Sequence, residues 1–197
     1  MVKMARQDAD LRDYIESGAG SKLLGTNAAS SAEKPPVTSV SSQKRMLAEL
    51  KELIEVKIPQ NAAAVAYARS FGDLRENAEY DAAKEQRRFL QKRRSDLEKS
   101  LGFMDVTNFA DVVPTDTVVP GCRVFLKNTT GKEVSYYILG AWDGDADRGR
   151  IAYRAPLGQA LLDHKVGEKV QLPELGECLI EKLEALPPEM IQELSGE

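Results

Sequence analysis

The chain has 197 residues, 42% of them hydrophobic and 29% charged, and a formal net charge of −4. That suffices for one or two soluble globular units. No apolar run approaches the roughly 18 residues that mark a membrane helix. The scattered charges of residues 1–18 leave no apolar core of a secretory signal. Cys122 and Cys178 show no metal spacing and no framework of further cysteines, so they read as reduced core residues of a cytoplasmic protein. Charge is distributed unevenly. Residues 41–101 carry 13 basic and 10 acidic side chains and residues 102–197 carry 9 and 16, which argues for separate units with different partners.

In chain order, residues 3–16 offer a short helix with Met4, Leu11 and Ile15 as its apolar positions. From Ser17 to Ser42 the composition turns to Gly, Ala, Ser, Thr and Pro, the pattern of a flexible linker with nothing to bury. Residues 1–42 are therefore expected to form a flexible extension. Leu47, Leu50, Ile54, Ile58, Ala62, Val65 and Ala68 then step by three or four, one apolar stripe on a helix over about 43–71. The Ser41–Ser42 pair is its expected N-cap. Pro59 inside it predicts a kink, since proline lacks the N–H and crowds the preceding turn.

Gly72 breaks the helical run, and a second helix is expected from Asp73 or Leu74 with Asp73 as N-cap. Its stripe is Ala83, Leu90, Leu97 and Leu101. Two helices of similar length joined by a tight bend make an antiparallel coiled-coil hairpin over 43–104, with an acidic tip near 72–80. From residue 111 the periodicity changes. GCRVFLKN and EVSYYILGAW read as strands around Asn128–Gly131, IAYR as a short strand, APLGQALLD as a short helix, and EKVQL and ECLIEKL as two more strands. The expectation is a small α+β domain over 108–186 followed by a tail at 187–197.

Three groups of residues bear on chemistry. Asp73 and Glu76 sit at the exposed tip, where two carboxylates fill one or two of the six oxygen positions that Mg²⁺ demands. They suit a metal site completed by another molecule, such as a second ion beside one that a partner already holds. The alternative is structural: Asp73 caps the helix and Glu76 favours its positive end. Between Lys84 and Arg94 there are six basic residues and one acid, with Lys84, Arg87, Arg88 and Arg94 on one side of the helix. Such a stripe attracts phosphate backbone irrespective of sequence. Its alternative is a solvated face paired with Glu52 or Glu55. Asp143, Asp145 and Asp147 alternate as a calcium loop begins, but Arg154 stands where the twelfth-position Glu belongs, so they read as a solvated hairpin loop. His164 has no serine, cysteine or ligand spacing beside it, and no glycine-rich phosphate loop occurs.

The run Ala68-Arg69-x-x-Gly72-Asp73-Leu74-x-Glu76-Asn77-Ala78-Glu79-Tyr80-x-Ala82-Ala83-Lys84-Glu85-Gln86 resembles the tip of the GreA/GreB family of bacterial transcript cleavage factors. Pro59 stands where that family often has proline. APLGQALLDHKVGEKV resembles its C-terminal block, with Ala155 for the usual serine and Glu168 for the usual aspartate. The resemblance covers about residues 43–186. It implies an FKBP-like C-terminal domain and a coiled coil that enters the secondary channel of RNA polymerase. There Asp73 and Glu76 would help hold the second Mg²⁺ of the polymerase active site, and the polymerase would cut backtracked nascent RNA near its 3′ end. On this reading the protein is a monomer that catalyses nothing alone. The competing classes are a channel-binding regulator without cleavage activity, a prolyl isomerase and a coiled-coil adaptor. Aromatics are only 6% of the chain, and Tyr136 and Tyr137 alternate faces on a strand, so at most one enters any isomerase pocket.

Overall fold

The computed structural model describes residues 34–71, 77–173 and 175–196. Two compact units divide them, one of residues 45–71 and 77–103, the other of 34–44 and 104–196. The possible helix at 3–16, most of the expected linker, and the tip residues 72–76 lie outside the described residues.

The helical unit is built from α1 (Val40–Glu52, of which Arg45 onward belongs here), α2 (Ile58–Arg69) and α3 (Ala78–Gly102). Its direction is fixed by three side-chain ties. Asn77 Nδ2 donates to the Ala68 carbonyl, Asn61 Nδ2 to the Ala83 carbonyl, and Arg93 reaches Glu49. As numbers fall on one side they rise on the other, so the hairpin is antiparallel. Met46, Leu50, Leu53, Val65 and Ala68 are buried on one arm, and Leu90, Leu97 and Leu101 on the other.

The disruption expected at Pro59 is present as a π-helical turn, Leu53–Lys57, in which the Ile58 N–H bonds the Leu53 carbonyl. Pro59 lies in the first turn of α2 and cannot supply the N–H that residue 55 would need, and a widened turn absorbs the missing bond. The wider turn accompanies a change in the buried stripe. Asn61 is buried where Ala62 was expected, and Ala62 is exposed. A polar side chain can occupy that inner position because the Ala83 carbonyl, 2.9 Å away, accepts its N–H.

Both helix starts differ from expectation. Helix α1 begins at Val40, and its cap is Ser39, whose Oγ accepts the Ser42 N–H at 3.0 Å. Helix α3 begins at Ala78, and its cap is Asn77, whose Oδ1 accepts the Tyr80 N–H at 3.1 Å. Asp73 is therefore not the cap of this helix.

The sheet unit holds a five-stranded sheet in the order β5-β4-β3-β7-β6, from β3 (Cys122–Asn128), β4 (Glu133–Leu139), β5 (Arg150–Ala152), β6 (Lys169–Leu172) and β7 (Gly176–Ala185). All neighbours are antiparallel except β4 and β5. One face carries the main core of Val124, Leu126, Ile138, Leu161, Val170 and Ile180, with both cysteines free and buried. Helix α4 (Pro156–Leu161) contributes Leu161 to it. The other face is covered at one end, where Leu139 meets Phe109, Leu186, Met190 and Leu194.

Two boundaries need correction. The expected tail at 187–197 contains α5 (Pro188–Ser195), which buries Met190 and Leu194 in that second core. The end of the expected flexible extension is β1 (Val37–Ser39), paired in parallel with β2 (Asp105–Thr107). Thr38, Ser39 and Ser42 are buried there, although the composition suggests a segment with nothing to bury. Their polar groups converge on Asp143, which is 6% exposed and not the solvated loop acid expected. Asp143 Oδ2 accepts the Ser39 N–H at 2.8 Å and the Thr38 hydroxyl at 3.3 Å, and Oδ1 accepts the hydroxyls of Ser39 and Ser42. Four donors replace the water this carboxylate gives up. Gly140 permits the approach, since a Cβ there would lie 2.2 Å from Asp143 Oδ2 and 2.6 Å from Thr38 Cα.

Candidate functional site at the hairpin tip

The described residues flanking the tip are held from both sides. At the end of α2 the Ser70 N–H and hydroxyl both bond the Tyr67 carbonyl, at 2.9 and 2.7 Å. At the start of α3, Asn77 has two roles. Its carbonyl oxygen caps the helix, and its amide nitrogen bonds the Ala68 carbonyl across the bend at 2.8 Å. Asn is a preferred cap because its short side chain reaches an N–H left unsatisfied at the helix start. Asp73 and Glu76 themselves lie outside the described residues. Among the described residues no group of three or more His, Cys, Asp and Glu side chains is placed to hold a metal.

Tyr80 stands one turn into α3, flanked by cations. Arg69 lies 5.6 Å and Lys84 5.7 Å from its ring centroid, within cation–π range. The Arg69 hydrogen bond, with help from its charge, lowers the Tyr80 pKa below the ordinary tyrosine value. On the other arm the exposed rings of Tyr67 and Phe71 meet edge to face at 4.9 Å.

The basic stripe divides along its length. Toward the base, Arg93 makes a two-pronged bond to Glu49 at 2.6 and 2.7 Å, which lowers the Glu49 pKa. Arg94 pairs with Glu98 at 2.7 Å. Toward the tip, Lys84, Arg87, Arg88 and Lys92 are exposed and have no carboxylate partner among the described residues. Of the two partners expected from sequence, Glu52 and Glu55, Glu52 pairs instead with Lys57 at 3.2 Å. Of the four stripe residues predicted, Lys84, Arg87 and Arg88 thus stand free of carboxylates and Arg94 does not. The Arg94 pair is an exposed i,i+4 contact worth about 0.3–0.5 kcal/mol, easily exchanged for another anion. Sequence reasoning reads Asn77 as a residue that shapes the tip and Tyr80 as a ring available for stacking or packing. It does not reveal the tie of Asn77 to the Ala68 carbonyl or the cations around Tyr80, because Ala68 and Arg69 arrive from the opposite arm.

The remaining candidates are accounted for structurally. His164 Nδ1 lies 2.7 Å from Glu168 on the surface. Tyr136 and Tyr137 take opposite faces of the sheet, one against each core.

The described residues thus form an antiparallel helical hairpin, with cations that have no carboxylate partner among them, and a separate five-stranded sheet unit. Residues 37–106 match the family model for the N-terminal part of transcription elongation factors, and residues 113–180 match that for the C-terminal part of GreA/GreB. The chain belongs to the GreA/GreB family of transcription elongation factors. It is 38% identical over 130 residues to transcription elongation factor GreA of Oenococcus oeni, an alignment covering 66% of this chain and 80% of that one. With GreA of Syntrophotalea carbinolica it shares 41% over 125 residues, 63% of this chain and 78% of the other. With GreA of Borreliella burgdorferi it shares 41% over 135 residues, 68% of this chain but only 15% of that longer protein. Among solved structures, GreA factor homolog 1 of Thermus thermophilus aligns with 77% of this chain and 100% of its own at 19% identity, with a TM-score of 0.36.

Proposed function

We propose that this protein enters the secondary channel of bacterial RNA polymerase with its hairpin and stimulates Mg²⁺-dependent cleavage of backtracked nascent RNA, so that arrested complexes restart. The observation that carries this reading is the division of labour at the tip. Asn77 caps α3, so the structural role that competed for Asp73 belongs to another residue. Asp73 and Glu76 then remain as two hard oxygen donors, the type Mg²⁺ prefers. They would complete a site whose other ligands belong to the polymerase, and the ion bound there would activate water and stabilise the leaving oxygen of a phosphodiester. The chain's own residues bind and orient. Lys84, Arg87 and Arg88, with no carboxylate partner among the described residues, present positive charge along one side of α3, suited to the phosphates of the RNA 3′ end, and Tyr80 offers a half-buried ring between two cations. The chain catalyses nothing alone in this scheme, acts as a monomer in the cytoplasm, and lends its acids to the polymerase centre.

The test is a stalled, backtracked polymerase complex supplied with Mg²⁺. Asp73→Asn or Glu76→Gln is expected to slow release of short 3′ fragments by about 100-fold, the scale on which loss of one transition-state contact acts. Fragment release at the normal rate by either variant ends the metal reading. Slower elongation with no fragments from the unaltered protein would make it a channel-binding regulator.

A further inference from the structure

Strands β3 to β7 carry five cations: Arg123, Lys127, Arg150, Lys169 and Lys182. Four of them pair with carboxylates. Lys127 reaches Glu133 and Glu181, Arg150 reaches Glu193, Lys169 reaches Glu177, and Lys182 reaches Glu184. Arg123 has no carboxylate partner among the described residues. Glu184 stands opposite it in register, but its Oε1 lies 2.7 Å from Lys182 Nζ.

Arg123 is nonetheless held in one place. Its guanidinium carbon lies 4.6 Å from the Phe125 ring centroid and 5.1 Å from that of Tyr137. One Nη2 N–H bonds Ser135 Oγ at 3.0 Å, and the buried Nε has no hydrogen-bond partner among the described residues. Tyr137 packs at the edge of the second core, around Leu139 and Met190, so the clamp has a rigid base. Arg123, Phe125 and Ser135 are half-buried and Lys182 is exposed. Lys182 Nζ lies 4.2 Å from the Phe125 ring.

We propose that this part of the sheet face docks a protein partner through a single carboxylate side chain, which bonds end-on to the Arg123 guanidinium. This rests on the functional reading above, in which the partner is RNA polymerase, and adds the chemistry of one contact surface. A guanidinium stacked on rings has already lost much of its rotamer freedom, and its planar fork matches a carboxylate with two parallel bonds. Binding then costs little further ordering. A protein carboxylate fits better than nucleic acid. Residues 102–197 carry 9 basic and 16 acidic side chains, a field that repels a polyphosphate chain at long range. A single carboxylate at contact distance responds mainly to the arginine it touches.

The test measures the affinity of the fluorescently labelled full-length protein for core RNA polymerase, at low and high salt. Arg123→Glu is expected to weaken binding at least tenfold at low salt. Arg123→Lys keeps the charge but loses the fork, and is expected to fall between. Thermal melting of each variant keeps a folding defect from passing as a binding defect. If the unaltered protein does not bind polymerase, the functional reading fails. If it binds and a folded Arg123→Glu variant binds within twofold of it, the docking proposal fails alone. Arg123-dependent binding to a single-stranded RNA oligonucleotide, without polymerase, would overturn the protein-carboxylate assignment in favour of nucleic acid.

Discussion

In the helical unit Lys84, Arg87, Arg88 and Lys92 face solvent with no carboxylate partner among the described residues, whereas in the sheet unit every strand-borne cation but Arg123 has one. The acids divide differently. The sheet unit takes one carboxylate, Asp143, almost wholly out of water and surrounds it with four donors. The hairpin places Asn77, a neutral side chain, at the cap where an acid was expected. With a neutral residue at the cap, the proposed function can draw on the tip acids and on the cations of α3. In the sheet unit the paired charges hold the architecture together.

The comparison can be tested from its strongest element downward. Asp143→Ala leaves the buried hydroxyls of Thr38 and Ser39 and the Ser39 N–H without their acceptor, while the Ser42 hydroxyl can turn to the Trp142 carbonyl. It should destabilise the sheet unit by about 3 kcal/mol, since each unsatisfied buried group costs about 1–3; urea unfolding followed by circular dichroism measures it. A loss below about 0.5 kcal/mol would mean the carboxylate is not architectural. Asn77→Ala removes the cap and the tie to Ala68, at an expected cost of about 1 kcal/mol. Hydrogen exchange should show the loss confined to the first turn of α3, and Asn77→Asp should restore the capping part alone.

The smallest expected effect concerns pH. The Arg150 hydrogen bond holds the Glu193 pKa below the usual carboxylate value, with Arg148 adding to it. A depressed folded pKa contributes stability above the ordinary carboxylate range and loses it as pH falls through the depressed value. Glu193→Gln should therefore flatten the acid limb of the stability profile below about pH 4.5. The amount is at most about 1 kcal/mol, because Glu193 is half-exposed and solvent screens the pair. An unchanged acid limb would show that α5 is held by Met190 and Leu194 alone.

Local signals were enough for much of this molecule. The repeat of Leu90, Leu97 and Leu101, the break before the second helix, and the turn at Asn128–Gly131 depend on residues close in the chain. Periodicity and turn chemistry report such features directly. The tip motif was likewise legible, because its residues are contiguous. What the sequence could not disclose depends on partners far along the chain. Val37–Ser39 becomes a strand only because Asp105–Thr107 lies beside it. Asp143 is buried only because Thr38, Ser39 and Ser42, about a hundred residues earlier, bring their donors to it. Asn61 turns inward because Ala83 on the opposite arm offers a carbonyl, and Arg123 is clamped because β3 and β4 set Phe125 and Tyr137 around it. Hydrophobic spacing marks where a chain buries apolar surface. Whether a polar side chain is buried depends on a partner at hydrogen-bond distance, and only the tertiary structure supplies that partner.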